Sequence, residues 1–135
     1  MNIHKTAILD KSVSLGKNVE IGAFSQILGN VKIGDNVKIK SNCVIGAEAD
    51  QPRVDRLGDQ NGSIVIQDGC VIKDSVIISK PTLTELTKIG SNSYLMSGAY
   101  IAHDSVLGKN VIISHGTRLS GYTTVDDFSN IGANV

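Results

Sequence analysis

The chain has 135 residues, the usual size of a single domain, and its 13 basic side chains balance its 13 acidic ones. This zero net charge excludes a strong electrostatic attraction to nucleic acid or to an anionic membrane. The apolar runs are too short for a membrane-spanning helix, and the N-terminus lacks the apolar block of a signal peptide. Cys43 and Cys70, the only cysteines, provide neither a disulfide framework nor a metal-type spacing, so we expect a reduced, cytoplasmic setting.

Aliphatic residues recur at every sixth position along most of the chain. The first run comprises Ile3, Leu9, Leu15, Ile21, Ile27, Ile33, Ile39 and Ile45. The step continues through Ile66, Ile72 and Ile78, and the second run comprises Ile89, Leu95, Ile101, Leu107, Ile113, Leu119, Val125 and Ile131. Since 39 of the 135 residues are Ile, Leu or Val, eight consecutive hits by chance have a probability under about one in ten thousand. A period of six fits neither a helix nor an alternating strand and predicts a hexapeptide solenoid.

Two other positions of the hexad have a restricted composition when the aliphatic residue is counted as position one. Position five is small or β-branched, so we expect it to fill a narrow interior beside position one. Position four holds residues that tolerate a left-handed backbone: Asn18, Asn30, Asn36, Asn42, Gly69, Asn92, Gly98, Asp104, Asn110, Gly116 and Asn134. Each hexad is therefore predicted to be a short strand followed by a tight corner. Three hexads would form one turn of a triangular prism, with about six turns stacked about 4.8 Å apart.

Two stretches interrupt the six-residue step. Residues 47–63 are polar and lie between ordered turns, which predicts an external loop on a single β-helix domain formed by residues 1–135. Such loops often carry function, although an inert surface insertion is the alternative. Residues 80–88 contain Pro81 and have one residue too few for two hexads, which predicts a smaller excursion.

The three histidines are candidates for chemistry. We expect His4, near the N-terminal edge, to be a surface residue. His103 and His115 both occupy position three, so both should point out of the prism. Their spacing of two hexads places them on different corners, and a metal site shared by these two histidines is therefore not expected.

Asp104 follows His103 directly, and a neighbouring carboxylate can fix the tautomer of an imidazole and raise its basicity. The alternative is that Asp104 only satisfies the corner and that His103 is a solvated neighbour. Gly121 lies three hexads after His103 and should occupy the same corner one turn along, about 5 Å away. A general base beside an exposed backbone N–H is the minimum needed for acyl transfer to a hydroxyl, because the amide can stabilise an oxyanion.

Residues 86–134 carry a detailed resemblance to a known family. The matching stretches are residues 86–92, 95–96, 99–104, 119–122, 125–128 and 131–132. With the His103–Asp104 pair among them, they strongly resemble the UDP-N-acetylglucosamine acyltransferases, which begin lipid A synthesis in Gram-negative bacteria. The resemblance implies an all-β fold, a left-handed parallel β-helix, that assembles as a homotrimer with active sites between subunits.

The resemblance also implies a reaction and residue roles. A 3-hydroxyacyl chain would pass from acyl carrier protein to the 3-hydroxyl of UDP-N-acetylglucosamine, with the carrier thioester as donor and without a cofactor or metal. His103 would be the general base, Asp104 its polarising partner and the Gly121 amide the oxyanion donor. The substrate-binding candidates would be Asp50, Gln51, Arg53, Arg56, Tyr100 and Tyr122.

Three departures from the family pattern bear on activity. Tyr100 and Tyr122 stand where the family usually has histidine, and tyrosine is a poor base near neutral pH. Residues 79–82 read Ser-Lys-Pro-Thr where the family commonly reads His-Arg-Gly-Thr. The family continues into a C-terminal helical domain, whereas this chain stops at Val135 inside a turn, so we expect a shortened relative without that domain.

Two alternatives stay open on this reasoning. One is a sugar acetyltransferase that uses coenzyme A, for which a long-chain groove would matter less. The other is a truncated, non-catalytic relative, which the tyrosines and the ending at Val135 would favour.

Overall fold

The computed structural model describes all 135 residues, which form nineteen short strands in three parallel sheets. Face A consists of β1 (Asn2–Ile3), β4 (Glu20–Ile21), β7 (Lys38–Ile39), β10 (Val71–Ile72), β13 (Tyr94–Leu95), β16 (Ile112–Ile113) and β19 (Asn130–Ile131). Face B consists of β2 (Ile8–Leu9), β5 (Gln26–Ile27), β8 (Val44–Ala47), β11 (Ile77–Ser79), β14 (Tyr100–Ile101) and β17 (Arg118–Leu119). Face C consists of β3 (Ser14–Leu15), β6 (Val31–Ile33), β9 (Ser63–Ile66), β12 (Leu86–Ile89), β15 (Val106–Leu107) and β18 (Thr124–Val125). Successive strands belong to successive faces, so the chain winds around a prism with three walls.

Each strand pairs in parallel with the strand one turn along, and the ladder residues stay aligned. Ile113 pairs with Ile131, 18 positions later, so a regular turn contains the three hexads that the sequence predicts. Ile33 pairs with Ile66, 33 positions later, and Ile66 pairs with Ile89, 23 positions later. The interruptions therefore add fifteen and five residues to otherwise regular turns, and the 80–88 excursion is a single step from face B to face C with five extra residues.

The ladder residues fill the inside of the prism. Ile27, Ile45, Ile78 and Ile101 are completely buried, as are most of their equivalents in the central turns. Each buried aliphatic side chain contributes about 1.5–3 kcal/mol, which offsets the entropy lost when the chain becomes ordered. Four position-five hydroxyls, those of Ser25, Ser93, Ser105 and Thr117, also lie inside, and each donates to a corner carbonyl. The Thr117 Oγ1 to Gly132 oxygen distance is 2.5 Å.

The two cysteines belong to this core. Cys43 and Cys70 are free and completely buried. Burial raises the pKa of both thiols, that of Cys70 to about 11, so both stay protonated at neutral pH.

The corners have the left-handed backbone that position four predicts. Asn36, for example, has φ 58°. The same conformation occurs where the composition gives no such signal, at Phe24 (φ 60°), Tyr122 (φ 62°) and Phe128 (φ 63°). These aromatic side chains are largely exposed, and their backbone follows the corner because the turns on either side fix it.

One edge of the prism carries all the irregular features. The B–C edge comprises the segments that join a strand of face B to the next strand of face C: residues 10–13, 28–30, 48–62, 80–85, 102–105 and 120–123. Both insertions lie on it, next to each other. The 47–63 loop contains the only helix, the single 3₁₀ turn Val54–Arg56, and no helix of the chain is long or apolar enough to cross a membrane. The B–C edge is therefore the part of the prism where we expect a functional site.

Candidate active site

His103 and Asp104 follow β14 on the B–C edge and form a buried pair. The His103 Nδ1 to Asp104 Oδ2 distance is 2.8 Å, and His103 is only 9% exposed. The imidazole leaves the interior, as its position in the hexad predicts, but residues 80–85 cover it. The alternative of a solvated His103 is therefore wrong, whereas His115 is exposed on the edge between faces A and B.

The Asp104 carboxylate is held by the 80–85 segment. Thr82 N–H donates to it at 2.9 Å and Thr82 Oγ1 at 2.5 Å, and both the N–H (2.9 Å) and the hydroxyl of Thr84 donate to it as well. Burial raises the pKa of Asp104, but hydrogen bonds from Thr82, Thr84 and His103 outweigh this effect and lower it to about 2. Asp104 is therefore a fixed anion that accepts the Nδ1–H of His103 and leaves Nε2 of the neutral ring free to take a proton. A merely structural corner residue would not need this set of donors.

Gly121 lies one turn beyond His103, beneath the imidazole. A Cβ at this position would lie 2.6 Å from His103 Nε2 and 2.9 Å from Nδ1, so any other residue would displace the imidazole. The Gly121 N–H donates to no acceptor of the chain, whereas the next amide, that of Tyr122, donates to the His103 carbonyl at 3.1 Å. An imidazole with a fixed carboxylate partner and an unpaired amide are thus adjacent, the combination that acyl transfer would require.

The two tyrosines hold different parts of this edge. Tyr122 meets His103 edge-on, with ring centroids 5.2 Å apart, and its hydroxyl lies 3.1 Å from Thr82 Oγ1. Tyr100 donates to Asp50 Oδ2 at 3.0 Å and lies 3.3 Å from Ser79 Oγ. Partial burial and the bond to the Asp50 carboxylate raise the pKa of Tyr100, so it stays a neutral phenol.

One of the four candidates in the polar loop contacts another candidate residue. Asp50 accepts a hydrogen bond from Tyr100, as described above. Gln51 Oε1 instead accepts from Arg53 N–H at 3.2 Å, which stabilises a local turn. Arg53 and Arg56 extend into solvent and form no ion pair. Asp50 and Tyr100 form a hydrogen-bonded pair that is not joined to the His103–Asp104 network, and Gln51, Arg53 and Arg56 contact neither group.

Thr82 and Thr84 have contacts that sequence reasoning did not anticipate. Thr82 ends the four-residue stretch that departs from the family motif, and the hexad pattern assigns it no role. The one signal in the sequence is the pair of hydroxyl residues Thr82 and Thr84 in the excursion that lies on the same edge as His103. No group of three or more His, Cys, Asp or Glu side chains lies close enough together to hold a metal ion.

Relatives of known sequence share the hexapeptide pattern. The family described as bacterial transferase hexapeptide (six repeats) matches residues 12–47 and 86–121, just over half of the chain. An acyl-[acyl-carrier-protein]–UDP-N-acetylglucosamine O-acyltransferase from Aliivibrio fischeri is 35% identical over 92 residues, which cover 67% of this chain and 34% of that protein. The chain thus spans about a third of the length of the curated relatives it matches.

Solved structures share the fold. LpxA from Acinetobacter baumannii is similar with a TM-score of 0.79 and 26% identity, covering 98% of this chain and 58% of that one. A UDP-N-acetylglucosamine acyltransferase from Campylobacter jejuni has a TM-score of 0.80 and 24% identity with the same coverage, a likeness of fold alone. These neighbours are left-handed parallel β-helices, which confirms the predicted fold class and hand. The resemblance to UDP-N-acetylglucosamine acyltransferases is likewise confirmed, and the chain belongs to the bacterial transferase hexapeptide family.

Proposed function

We propose that the chain is an O-acyltransferase that moves a 3-hydroxyacyl group from acyl carrier protein to the 3-hydroxyl of UDP-N-acetylglucosamine. The observation that carries the proposal is the buried His103–Asp104 pair beside the free N–H of Gly121. The O-acyltransferase relative, whose name contains both acyl carrier protein and UDP-N-acetylglucosamine, supports this choice of donor and acceptor.

The geometry defines a sequence of proton transfers. His103 Nε2 removes the proton of the sugar hydroxyl while the hydroxyl oxygen attacks the thioester carbonyl. Asp104 accepts from Nδ1–H, which fixes the tautomer and stabilises the imidazolium. The Gly121 N–H stabilises the oxyanion of the tetrahedral intermediate. Collapse of the intermediate breaks the carbon–sulfur bond, and the departing thiolate takes the proton from the imidazolium. The carrier thioester supplies the acyl group, and the proposed reaction uses no further cofactor.

The surrounding residues suit a sugar nucleotide. Asp50 and Tyr122 offer hydrogen-bonding groups on the same edge as His103, and Tyr100 offers one on face B beside Asp50. The exposed Arg53 and Arg56, together with Gln51, are the proposed contacts for the nucleotide phosphates, which arginine binds in bidentate fashion. A cytoplasmic homotrimer is the proposed assembly, and the resemblance to the acyltransferases supports it.

Product detection by mass spectrometry tests the proposal. Purified protein is mixed with UDP-N-acetylglucosamine and 3-hydroxyacyl carrier protein, and we expect a nucleotide sugar that is heavier by one acyl group. His103→Ala should lower the rate about a hundredfold or more, whereas His115→Ala, the exposed histidine on another edge, should leave it unchanged. Product from acetyl-coenzyme A alone would indicate a sugar acetyltransferase. A folded protein without product from either donor would support a non-catalytic relative.

A further inference from the structure

Thr82 is a buried residue whose hydroxyl meets three groups of the site. It is 5% exposed and lies in the 80–85 segment, above the His103–Asp104 pair. Its Oγ1 is 2.5 Å from Asp104 Oδ2, 3.1 Å from the Tyr122 hydroxyl and 3.4 Å from His103 Nδ1. No other side chain is within hydrogen-bond distance of all three.

The direction of these hydrogen bonds follows from counting protons. An ionised carboxylate can only accept, so the single hydroxyl proton of Thr82 goes to Asp104. The Tyr122 hydroxyl must therefore donate to Thr82 Oγ1, since the Thr82 proton is already used. The phenolic proton of Tyr122 thus points towards the protein, and only its oxygen lone pairs remain for a ligand.

We propose that Thr82 is a positioning residue for the acyl transfer, whose hydroxyl joins Asp104 and Tyr122 into one hydrogen-bonded unit around His103. Tyr122 consequently meets the sugar as a hydrogen-bond acceptor, and it favours a hydroxyl or N–H of the substrate at that point. This inference rests on the proposed function for its kinetic consequences, but the hydrogen-bonded unit exists without substrate.

The 47–63 loop holds Thr82 in place from the outside. A Cβ at Gly58 would overlap the Thr82 carbonyl, and a Cβ at Gly62 would lie 2.9 Å from the Glu85 oxygen. Ser63 N–H also donates to this Glu85 carbonyl at 2.9 Å. The two insertions are therefore in direct backbone contact, and the longer loop limits the movement of the shorter one. A rigid support of this kind is what a hydroxyl needs in order to orient a neighbouring base.

Kinetics of three variants test the positioning role. Thr82→Val removes the hydroxyl but keeps the shape, Thr82→Ser keeps the hydroxyl, and Thr117→Val removes another buried hydroxyl whose partner, the Gly132 carbonyl, lies outside the site. We expect Thr82→Val to lower kcat about tenfold or more with KM nearly unchanged. Thr82→Ser should retain at least half of the wild-type kcat, and Thr117→Val should match the wild type. Turnover by Thr82→Val equal to that of Thr117→Val would overturn the proposal.

A titration of the Asp104 carboxyl by carbon-13 NMR needs no substrate. It therefore tests the positioning role of Thr82 independently of the proposed acyltransferase function. The apparent pKa of Asp104, about 2 in the intact chain, should rise by about one unit in Thr82→Val, because a hydrogen bond to a charged group is lost. Thr82→Ser and Thr117→Val should leave it unchanged. An unchanged pKa of Asp104 in Thr82→Val would reject the positioning role of Thr82. A wild-type protein without turnover would reject the proposed function, and the titration would still decide on Thr82.

Discussion

The imidazole of His103 occupies the space where a side chain of Gly121 would stand. At the Lys109 corner this space has a structural use: Asp127 Oδ1, one turn beyond Lys109, accepts the Lys109 N–H at 2.8 Å. The His103 N–H has no such cap and no acceptor in the chain, and the same is true at the Ser97 corner. What distinguishes the His103 corner is the imidazole that fills this space beside the unpaired N–H of Gly121.

Gly121→Ala should abolish this arrangement without unfolding the chain. The added methyl would lie 2.6 Å from His103 Nε2, so the ring must move away from the amide that we propose as the oxyanion donor. We expect a fall in kcat of about a hundredfold, the usual cost of losing one oxyanion donor or misplacing the base, as measured by product formation. Gly132→Ala is the control, because a Cβ there has no atom within 4 Å. Equal activity of the two variants would contradict the assigned role of Gly121.

The low pKa of Asp104 predicts a specific loss of stability in acid. Its folded-state pKa of about 2 lies below the ordinary value of 3.8, so the ionised carboxylate stabilises the fold at higher pH. This contribution is complete above about pH 5 and declines as the pH falls through 4 towards 2. Asp104→Asn should lack that part of the pH dependence. Thermal unfolding of the wild type and of Asp104→Asn is measured between pH 2 and pH 7. The difference between their stabilities at each pH isolates Asp104, because the effects of the other carboxylates cancel. Parallel curves for the two proteins would show that Asp104 is not specifically stabilised as an anion.

The sequence predicts the parts of this site that obey the six-residue step. His103 and Gly121 are three hexads apart, and a regular turn contains three hexads, so their stacking follows from counting alone. Thr82 could not be placed in this way because it lies in a segment with five extra residues. In such a segment the six-residue period no longer determines which way a side chain points. Its contacts depend on how the 47–63 loop and the 80–85 segment pack together, and that packing leaves no periodic signal in the sequence.

The corners show the same division. Asn and Gly themselves favour a left-handed backbone, so the corners that contain them could be predicted from the sequence. Phe128 has the same conformation because its turn is fixed by neighbours on both sides, and no local property of phenylalanine indicates it. The burial of His103 could not be predicted from its hexad position, since a side chain that points out of the prism becomes buried only when an insertion covers it.

Thr82→Val and Tyr122→Phe should have effects that do not add. Either change removes the same hydrogen bond between Thr82 Oγ1 and the Tyr122 hydroxyl, so the double variant should lose less kcat than the sum of the two single losses, expressed as free energies. The measurement is a double-mutant cycle on kcat and on the free energy of unfolding. The pair Thr117→Val and Tyr122→Phe, whose hydroxyls share no partner, provides the additive control. Additive effects in both cycles would show that Thr82 and Tyr122 act independently.

The hydrogen bond between Tyr100 and Asp50 should hold the 47–63 loop against the prism and keep the population of its open form low. Tyr100 donates to the Asp50 carboxylate at 3.0 Å, and a hydrogen bond to a charged group contributes about 1.5–3 kcal/mol. Removing it with Tyr100→Phe should therefore raise the population of the open loop about tenfold. Arg53 and Arg56 lie exposed in this loop, so limited trypsin digestion under native conditions reports the opening directly, since cleavage follows the population of the open form. Asp50→Asn keeps an uncharged and therefore weaker acceptor. Its cleavage rate should fall between those of the wild type and Tyr100→Phe.

The control for this loop prediction is Tyr94→Phe, which removes a phenol on face A that has no hydrogen-bond partner. Its cleavage rate should equal that of the wild type. The bond should also weaken at high pH, because loss of the Tyr100 proton places two negative charges side by side. Its raised pKa puts this loss above the usual value of 10, so cleavage of the wild type should stay constant up to that pH and increase beyond it. Cleavage of Tyr100→Phe at the wild-type rate would mean that the backbone contacts of Gly58 and Gly62 hold the loop without Tyr100.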